Sequence, residues 1–374
     1  MPEPFTFLLE SRDGNARCGS MHTKRGIVHT PAFMPVGTTA SVKGLTPQEV
    51  LSTGAGMILA NTYHLLLRPG VEVIRAAGGV SAFMAWEGPM LTDSGGYQIL
   101  SLAKRRKITD EGVTFASHLD GSTLKLSPAT AVEYQKIFDS DIAMVLDECP
   151  PADADALEHE KAVKRTTRWA SESLAAHDHE GQALFGIMQG GTDPALRKTS
   201  LEDIAALDMD GYALGGLGVG EGSEKMHALL EETVPLMPSD RPRYLMGIGT
   251  PSDIIRAVCC GVDMFDCVLP TRNGRNGQAF TMNGRINIRN ARWANDAAPI
   301  DSECNCSVCS AFERRYIRHL FVSGEMLGPR LVSLHNLHHY GSIMKILRNA
   351  IEQKCLEKTA HELLDRMDEG HRTG

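Results

Sequence analysis

The chain has 374 residues, 42% hydrophobic and 22% charged with a net charge of −8, a soluble globular composition long enough for one large domain with an appendage or for two ordinary domains. No stretch approaches the roughly 18 apolar residues that a membrane span needs, and the opening MPEPFTFLLESRDG lacks a basic region followed by an apolar run. Nine cysteines, with Cys259 and Cys260 adjacent and three others clustered, do not read as a disulfide framework, so the expected compartment is the cytoplasm.

Short apolar runs recur along the first three quarters of the chain: AFMPV (32–36), GMILAN (56–61), PMLTD (89–93) and IAMVLDE (142–148), then ALFGIM (183–188), GYALGG (211–216), RYLMGIG (243–249) and DMFDCVL (263–269). Each is nearly continuous rather than alternating, as parallel strands covered on both faces are. Helix-like stretches lie between them. Three begin with Thr46-Pro47, Ser127-Pro128 and Thr250-Pro251, and the last ends at Gly261, the usual asymmetry of proline in the first turn and glycine past the end. Eight such units over about 240 residues predict an α/β fold, a (β/α)8 TIM barrel, with an open doubly wound sheet as the alternative. Residues 94–127 form an insertion after the third strand, whose VTFASHLDGSTLKL predicts a hairpin turning at Asp120-Gly121. The expected division is a barrel with an N-terminal sheet over 1–282 and, over 283–374, a subdomain with C-terminal helices that carries the cysteine cluster.

A barrel of this kind carries its chemistry at the C-terminal ends of its strands. Those ends bear Asn61 and His64, Asp93, Asp147 and Glu148, Gln189, Gly215 and Gly216, Met246 and Asp266, and a shared pocket is expected there. LTDSGGYQ sets Asp93 before a glycine pair that permits close approach of a ligand, with Tyr97 as a flat face for stacking. LDECPP adds Asp147, IMQGG adds the amide of Gln189, and LGGLGVGE lacks the spacing of a phosphate-binding P-loop but can offer bare backbone groups to a flat heterocycle. Asp266, in an apolar run, precedes Arg272 and Arg275 in what reads as a loop of Asn and Gly. Charge is segregated too: residues 271–350 hold eleven Lys and Arg against five Asp and Glu, a plausible footprint for a polyanion. The run KRRK at 104–107 reads instead as a solvated face.

CNCSVC supplies Cys304, Cys306 and Cys309, and LHNLHH supplies His335, with His338 and His339 nearby as alternative fourth ligands. Three thiolates and an imidazole leave no open position for water, the arrangement of a structural rather than a catalytic Zn2+.

PAFMPVGT, NTYHL, LTDSGGYQ, MVLDECPP, MQGG, YLMGIGTP, FDCVLPTRNGRNG and CNCSVC occur in order from about residue 5 to about 365. Together they resemble the tRNA-guanine transglycosylase (queuine tRNA-ribosyltransferase) family in its bacterial form. The resemblance implies a pentosyltransferase with one structural Zn2+ that exchanges guanine at the wobble position of tRNAs with GUN anticodons for 7-aminomethyl-7-deazaguanine. It implies Asp266 as nucleophile and Asp93 as general acid and base. Asp93, Ser94, Gly95, Gly96, Tyr97, Asp147, Gln189, Gly216, Leu217 and Met246 would hold the base, which would lie between Tyr97 and Met246. Gly247, Ile248, Gly249, Thr250, Pro251, Ser252 and Asp253, and Thr271, Arg272, Asn273, Gly274 and Arg275, would contact the RNA. Cys304, Cys306, Cys309 and His335 would hold the metal. Val219 would narrow the pocket against queuine, Gly218 stands where the family is expected to carry Ala or Ser, and Glu221 would order a backbone peptide beneath the base. A homodimer and the absence of any membrane partner are implied as well. Two other readings stand beside this one: a non-catalytic tRNA-binding paralogue of the same family, and a metal-dependent purine hydrolase, which would need ligands with an open position at the strand ends.

Overall fold

The structure, a computed structural model, describes residues 5–102 and 105–373. The eight apolar runs all form strands: β1 (Ala32–Pro35), β2 (Ile58–Ala60), β3 (Met90–Thr92), β4 (Ile142–Met144), β5 (Ala183–Met188), β6 (Gly211–Leu214), β7 (Arg243–Leu245) and β8 (Met264–Cys267). They lie in one parallel sheet in the order β1-β8-β7-β6-β5-β4-β3-β2. A parallel bridge between Val36 and Leu59, with the Gly37 N–H donating to the Leu59 carbonyl at 2.6 Å, joins the two ends. The sheet is therefore a (β/α)8 barrel and not an open doubly wound sheet. Every residue of β5 is buried, which is why its pattern does not alternate: helices cover one face and the barrel interior fills the other.

The expected helix starts are real caps. Thr46, Ser127 and Thr250 each accept a backbone N–H from the third residue on, and Gly261 closes the helix Pro251–Cys260 at φ 103°. At the opposite end of the barrel, a three-stranded antiparallel sheet (Thr6–Asp13, Ala16–Thr23, Gly26–Thr30) is tied in by a buried ion pair between Arg17 and Asp263. Arg17 also donates to the carbonyls of Ser239 at 2.9 Å and Arg241 at 2.7 Å, so each nitrogen of the buried guanidinium is bonded.

The insertion after β3 is larger than a hairpin. Arg106–Thr109, Gly112–Ala116 and Thr123–Leu126 make a three-stranded antiparallel sheet, packed through Val113, Phe115 and Leu126 against Tyr63 and Trp169. Its wider turn spans 117–122, where Ser117 N–H meets the Ser122 carbonyl at 2.8 Å and Asp120 Oδ1 accepts from Ser122 N–H at 3.1 Å. Of the KRRK run, residues 105–107 are exposed at the edge of this sheet, and Lys104 lies outside the described residues.

After β8 come the hairpin Gln278–Thr281/Gly284–Asn287, short helices, and the long helix Leu327–Glu352. That helix lies against the barrel and is bonded to it along its length. Asn336 Nδ2 donates to the carbonyls of Pro270 (2.9 Å) and Gln278 (3.0 Å), Tyr340 donates to Gly249, and Arg348 donates to Pro31 at 2.7 Å. Among the described residues no helix is long and apolar enough to cross a membrane.

Candidate active site and zinc centre

The strand ends converge as the barrel reading predicts. A cavity of about 540 Å3 at the C-terminal face is lined by Asp93, Asp147, Gly216, Leu217, Met246 and Asp266, with Tyr97 and Arg272 at its wall. Asp93, directly after β3, takes three hydrogen bonds: Oδ1 from Thr62 N–H (2.8 Å), Oδ2 from Asn61 Nδ2 (2.5 Å) and Gln98 Nε2 (2.8 Å). Burial nonetheless dominates and, against those bonds and helped by the charge on Asp266, pushes its pKa up to about 6.

Asp266, within β8, is held differently. Tyr244 Oη–H (2.6 Å) and Gly247 N–H (2.7 Å) both donate to Oδ1, which leaves Oδ2 without a protein donor among the described residues. Burial raises this carboxyl as well, and the two donors ease the rise. Tyr244, buried beside that charge, is held well above its ordinary pKa and stays a donor. Two neighbouring carboxyls thus differ: one is wrapped on both oxygens, the other on one.

Asp147 Oδ2 accepts from Gln189 Nε2 at 2.7 Å, and Oδ1 from Ser94 Oγ at 3.4 Å. Burial pushes its pKa up to about 6 against these bonds. Gly96 has to be glycine here, because a Cβ would stand 2.7 Å from the Asp147 carbonyl oxygen and 3.0 Å from Oδ1. Gln189 Oε1 is buried with no partner among the described residues, and Gln189 stands behind Asp147 without lining the cavity itself. Tyr97, in the first turn of the helix Gly96–Leu102, is 50% exposed, and Met246, in the turn after β7, is half-buried; both border the same cavity. Glu221 accepts from the N–H groups of Gly218 and Val219, the latter at 3.0 Å. A planar trans peptide directs its C=O opposite to its N–H, so the Leu217 carbonyl points away from Glu221. Gly218 suits its setting: φ is +72°, and a Cβ would lie 2.4 Å from Ile248 Cδ1.

Away from this cavity, the ligand atoms of Cys304, Cys306, Cys309 and His335 all lie within 4.8 Å of one another. His335 Nδ1 is 3.7, 3.6 and 3.3 Å from the three sulfurs in that order. Tetrahedral Zn2+ with ordinary Zn–S and Zn–N bonds requires about 3.6 Å between sulfur and nitrogen, so the cluster fits a closed structural zinc site. His335 Nε2 lies 2.7 Å from the Phe280 carbonyl, the outer contact that sets Nδ1 free as the ligand. His338 turns to Asn305 instead, and His339 is buried beside Phe280. None of the four ligands lines the cavity at the strand ends, which removes the support for a metal-dependent hydrolase.

The family profile described as Queuine tRNA-ribosyltransferase matches residues 12–369. The chain belongs to this family. Queuine tRNA-ribosyltransferases of Moorella thermoacetica (52% identical over 366 residues, 98% of each chain), Zymomonas mobilis (50% over 363 residues, 96% of this chain and 94% of the relative) and Thermus thermophilus (50% over 351 residues, 94% and 91%) are similar along nearly their whole length. It is a family of enzymes, pentosyltransferases, and the barrel and thiolate-rich metal cluster described above accompany that membership.

The segments expected to meet RNA are only partly presented to solvent. Ile248, Gly249 and Pro251 are buried, while Gly247, Thr250 and Ser252 are accessible. Burial would raise the pKa of Asp253, but hydrogen bonds from His227, Ser223 and Thr250 outweigh it and bring the carboxyl to about 2. Its oxygens are therefore spent within the protein. The stretch Leu269–Arg275 is a helix rather than a flexible loop. Thr271 and Gly274 face the long helix, where a Cβ on Gly274 would stand 2.7 Å from the Ser333 backbone. Arg272 is exposed at the cavity mouth, and Arg275 Nη1 is buried with no partner among the described residues. Glu148 does not join the cavity; it pairs with Arg165. Asn61, at a strand end where the sequence placed the pocket, bonds to Asp93 as expected of the site, whereas Gln98 and Tyr244 carry contacts to the two aspartates that their sequence positions do not advertise, since a tyrosine within RYLMGIG reads as core.

Proposed function

We propose that the protein exchanges guanine at the wobble position of tRNAs with GUN anticodons for 7-aminomethyl-7-deazaguanine, by double displacement through a covalent aspartyl-ribosyl intermediate. The observation that carries this reading is the asymmetry of the two carboxyls: Asp266 keeps Oδ2 without a donor, and Asp93 has a pKa of about 6 in the same cavity.

Asp266 Oδ2 attacks the anomeric carbon, the bond from that carbon to guanine N9 breaks, and the oxocarbenium-like transition state is stabilised by the carboxylate charge. Protonated Asp93 gives the departing guanine its proton. The resulting Asp93 carboxylate takes the N9 proton of the incoming base, whose nitrogen displaces Asp266 and restores it, with net retention at the sugar. A side chain with a pKa of about 6 can serve in both directions at neutral pH. Asp147 is suited to accept the two N–H groups of the guanine edge, and Tyr97 and Met246 to cover the faces of a base splayed out of its loop. The orientation of the Leu217 carbonyl supports a substituent that donates, as an aminomethyl group does, while Val219 borders the cavity and disfavours the bulk of queuine.

Arg272 and Arg275 would take phosphates or neighbouring bases, and the exposure of Arg272 at the cavity mouth supports that role. Residues 1–282 would act as the catalytic barrel and 283–374 as a subdomain stapled by one Zn2+. Free cysteines throughout the described residues suit a reducing compartment, the cytoplasm. A homodimer is part of the reading, supported by the exposed Tyr316, Val322 and Met326 and read directly by sedimentation equilibrium.

The test is a trap on a denaturing gel. The protein and an Asp266→Asn variant are incubated with a GUN tRNA and a base analogue that cannot complete exchange. An adduct that survives denaturation in the native protein and vanishes in the variant is the expected result. Retained tRNA binding with no adduct in either protein would favour the non-catalytic paralogue.

A further inference from the structure

Arg197, on the helix Pro194–Ala205, is 0% exposed and has no role in the exchange described above. Its three hydrogen bonds all end on backbone carbonyls. Nε donates to Gly191 at 2.7 Å, and Nη2 donates to Gly215 at 3.0 Å and to Gly216 at 3.3 Å. Nη1 is buried with no partner among the described residues. Burial lowers its pKa to about 10, which still leaves the guanidinium charged at neutral pH. A buried cation without a bonded carboxylate is costly, and an apolar side chain of similar volume would fill the space without that cost. What the guanidinium provides, and an apolar group cannot, is a rigid fork across two loops. One follows β5 and carries Gln189; the other follows β6 and carries Gly216 and Leu217.

The fork fixes more than the carbonyls. In a planar trans peptide the N–H points opposite to the C=O. With the Gly215 and Gly216 carbonyls drawn onto Arg197, the N–H groups of Gly216 and Leu217 point the other way. Gly215, Gly216 and Leu217 line the base cavity, so these two donors belong to its wall. The segment is also closely packed: Gly216 has φ +66°, and a Cβ there would stand 2.6 Å from Gln189 Oε1.

We propose that Arg197 is a positioning residue of the base pocket, which pins the Gly215 and Gly216 carbonyls so that the adjoining N–H groups are preorganised as donors to the acceptor edge of the base. The proposal rests on the base-exchange reading. Donors held in advance lower the cost of ordering the site when the base arrives, so the effect belongs in affinity for the base and not in affinity for tRNA.

The experiment measures incorporation of labelled guanine into tRNA by the zinc-loaded protein and by its Arg197→Lys and Arg197→Met variants, with thermal unfolding alongside. Lysine keeps the charge but cannot span both loops. Charge-assisted hydrogen bonds of this kind predict a base KM raised about 10-fold in R197K and about 30-fold or more in R197M. The tRNA KM and the rate at saturating guanine should each stay within about 3-fold, as preorganisation for the base alone requires. Folded variants with an unchanged base KM, or with equal losses for base and tRNA, would overturn the assignment, and so would failure of both variants to fold. Absence of exchange by the unsubstituted protein would instead count against the function itself. Calorimetric titration of free guanine then still decides on Arg197: weaker binding by the variants supports it, and equal binding removes it.

Discussion

Asp147 is a residue whose proposed service to the ligand works against the fold. It is buried, accepts from Gln189 and Ser94, and has a pKa of about 6 against an ordinary value of 3.8. Because the folded pKa lies above the unfolded one, the folded state holds the proton more tightly between those values. The stability associated with it is full below about 4 and is lost as pH rises through about 6. At pH 8 the buried charge therefore costs about 2–3 kcal/mol. Asp147→Asn keeps an acceptor for Gln189 and removes the charge. Its melting temperature should exceed that of the native protein by about 3–6 °C at pH 8, with the gap narrowing as pH falls through about 6 and closing below about 4. Binding of guanine should fall sharply in the same variant. Equal melting curves at pH 8 would show that the site is wetter than its burial implies. Asp93 shares the same sign, so the native protein should lose stability over the window in which the pocket becomes competent to receive N–H donors.

At the scale of elements, the helix Leu269–Arg275 shows both what could be read in advance and what could not. The strands were legible because parallel strands covered on both faces leave continuous apolar runs, and the three helix starts because capping is local chemistry. The segment TRNGRNG follows neither rule. Two glycines and two asparagines lower its helix propensity, and helical form is maintained by packing with the long helix some sixty residues later. Gly274 is the point of contact, with Ser333 backbone atoms 2.7 Å from where a Cβ would be. The first strand of the inserted sheet, RKIT, escaped for a related reason: its turn at Asp110 and Glu111 has no Asn-Gly or Asp-Gly signature. At the site, the acids themselves were legible, whereas Tyr244 and Arg197 were not, because a buried polar group inside an apolar element has no sequence signal of its own. Gly274→Ala should cost about 1–3 kcal/mol in urea unfolding, as overpacking does. It should raise the tRNA KM by displacing Arg272 and Arg275, while free guanine binds as before. A loss confined to guanine binding would disprove this division of labour.

For the molecule as a whole, the zinc ligands lie on two segments that the metal draws together. Cys304, Cys306 and Cys309 lie on a short stretch with little structure of its own, and His335 lies within the helix that is bonded to the barrel from Pro31 to Gly249. Chelation should lower the melting temperature by roughly 5–10 °C, since metal-binding energy here is folding energy. Exchange should fade with the loss of structure and return on adding Zn2+. Immediate loss of catalysis with the melt unchanged would instead indicate a metal acting at the reacting atoms.

The barrel itself closes unevenly. Seven neighbouring pairs of strands are joined by regular ladders, but β1 and β2 meet through the Val36–Leu59 bridge and the bond from Gly37. Both Val36 and Leu59 also line the reaction cavity, on the side of Asn61 and Asp93. Thermal fluctuations open a structure first where the fewest bonds must break. The line along which the cylinder is held by the fewest bonds thus runs beside its own mouth.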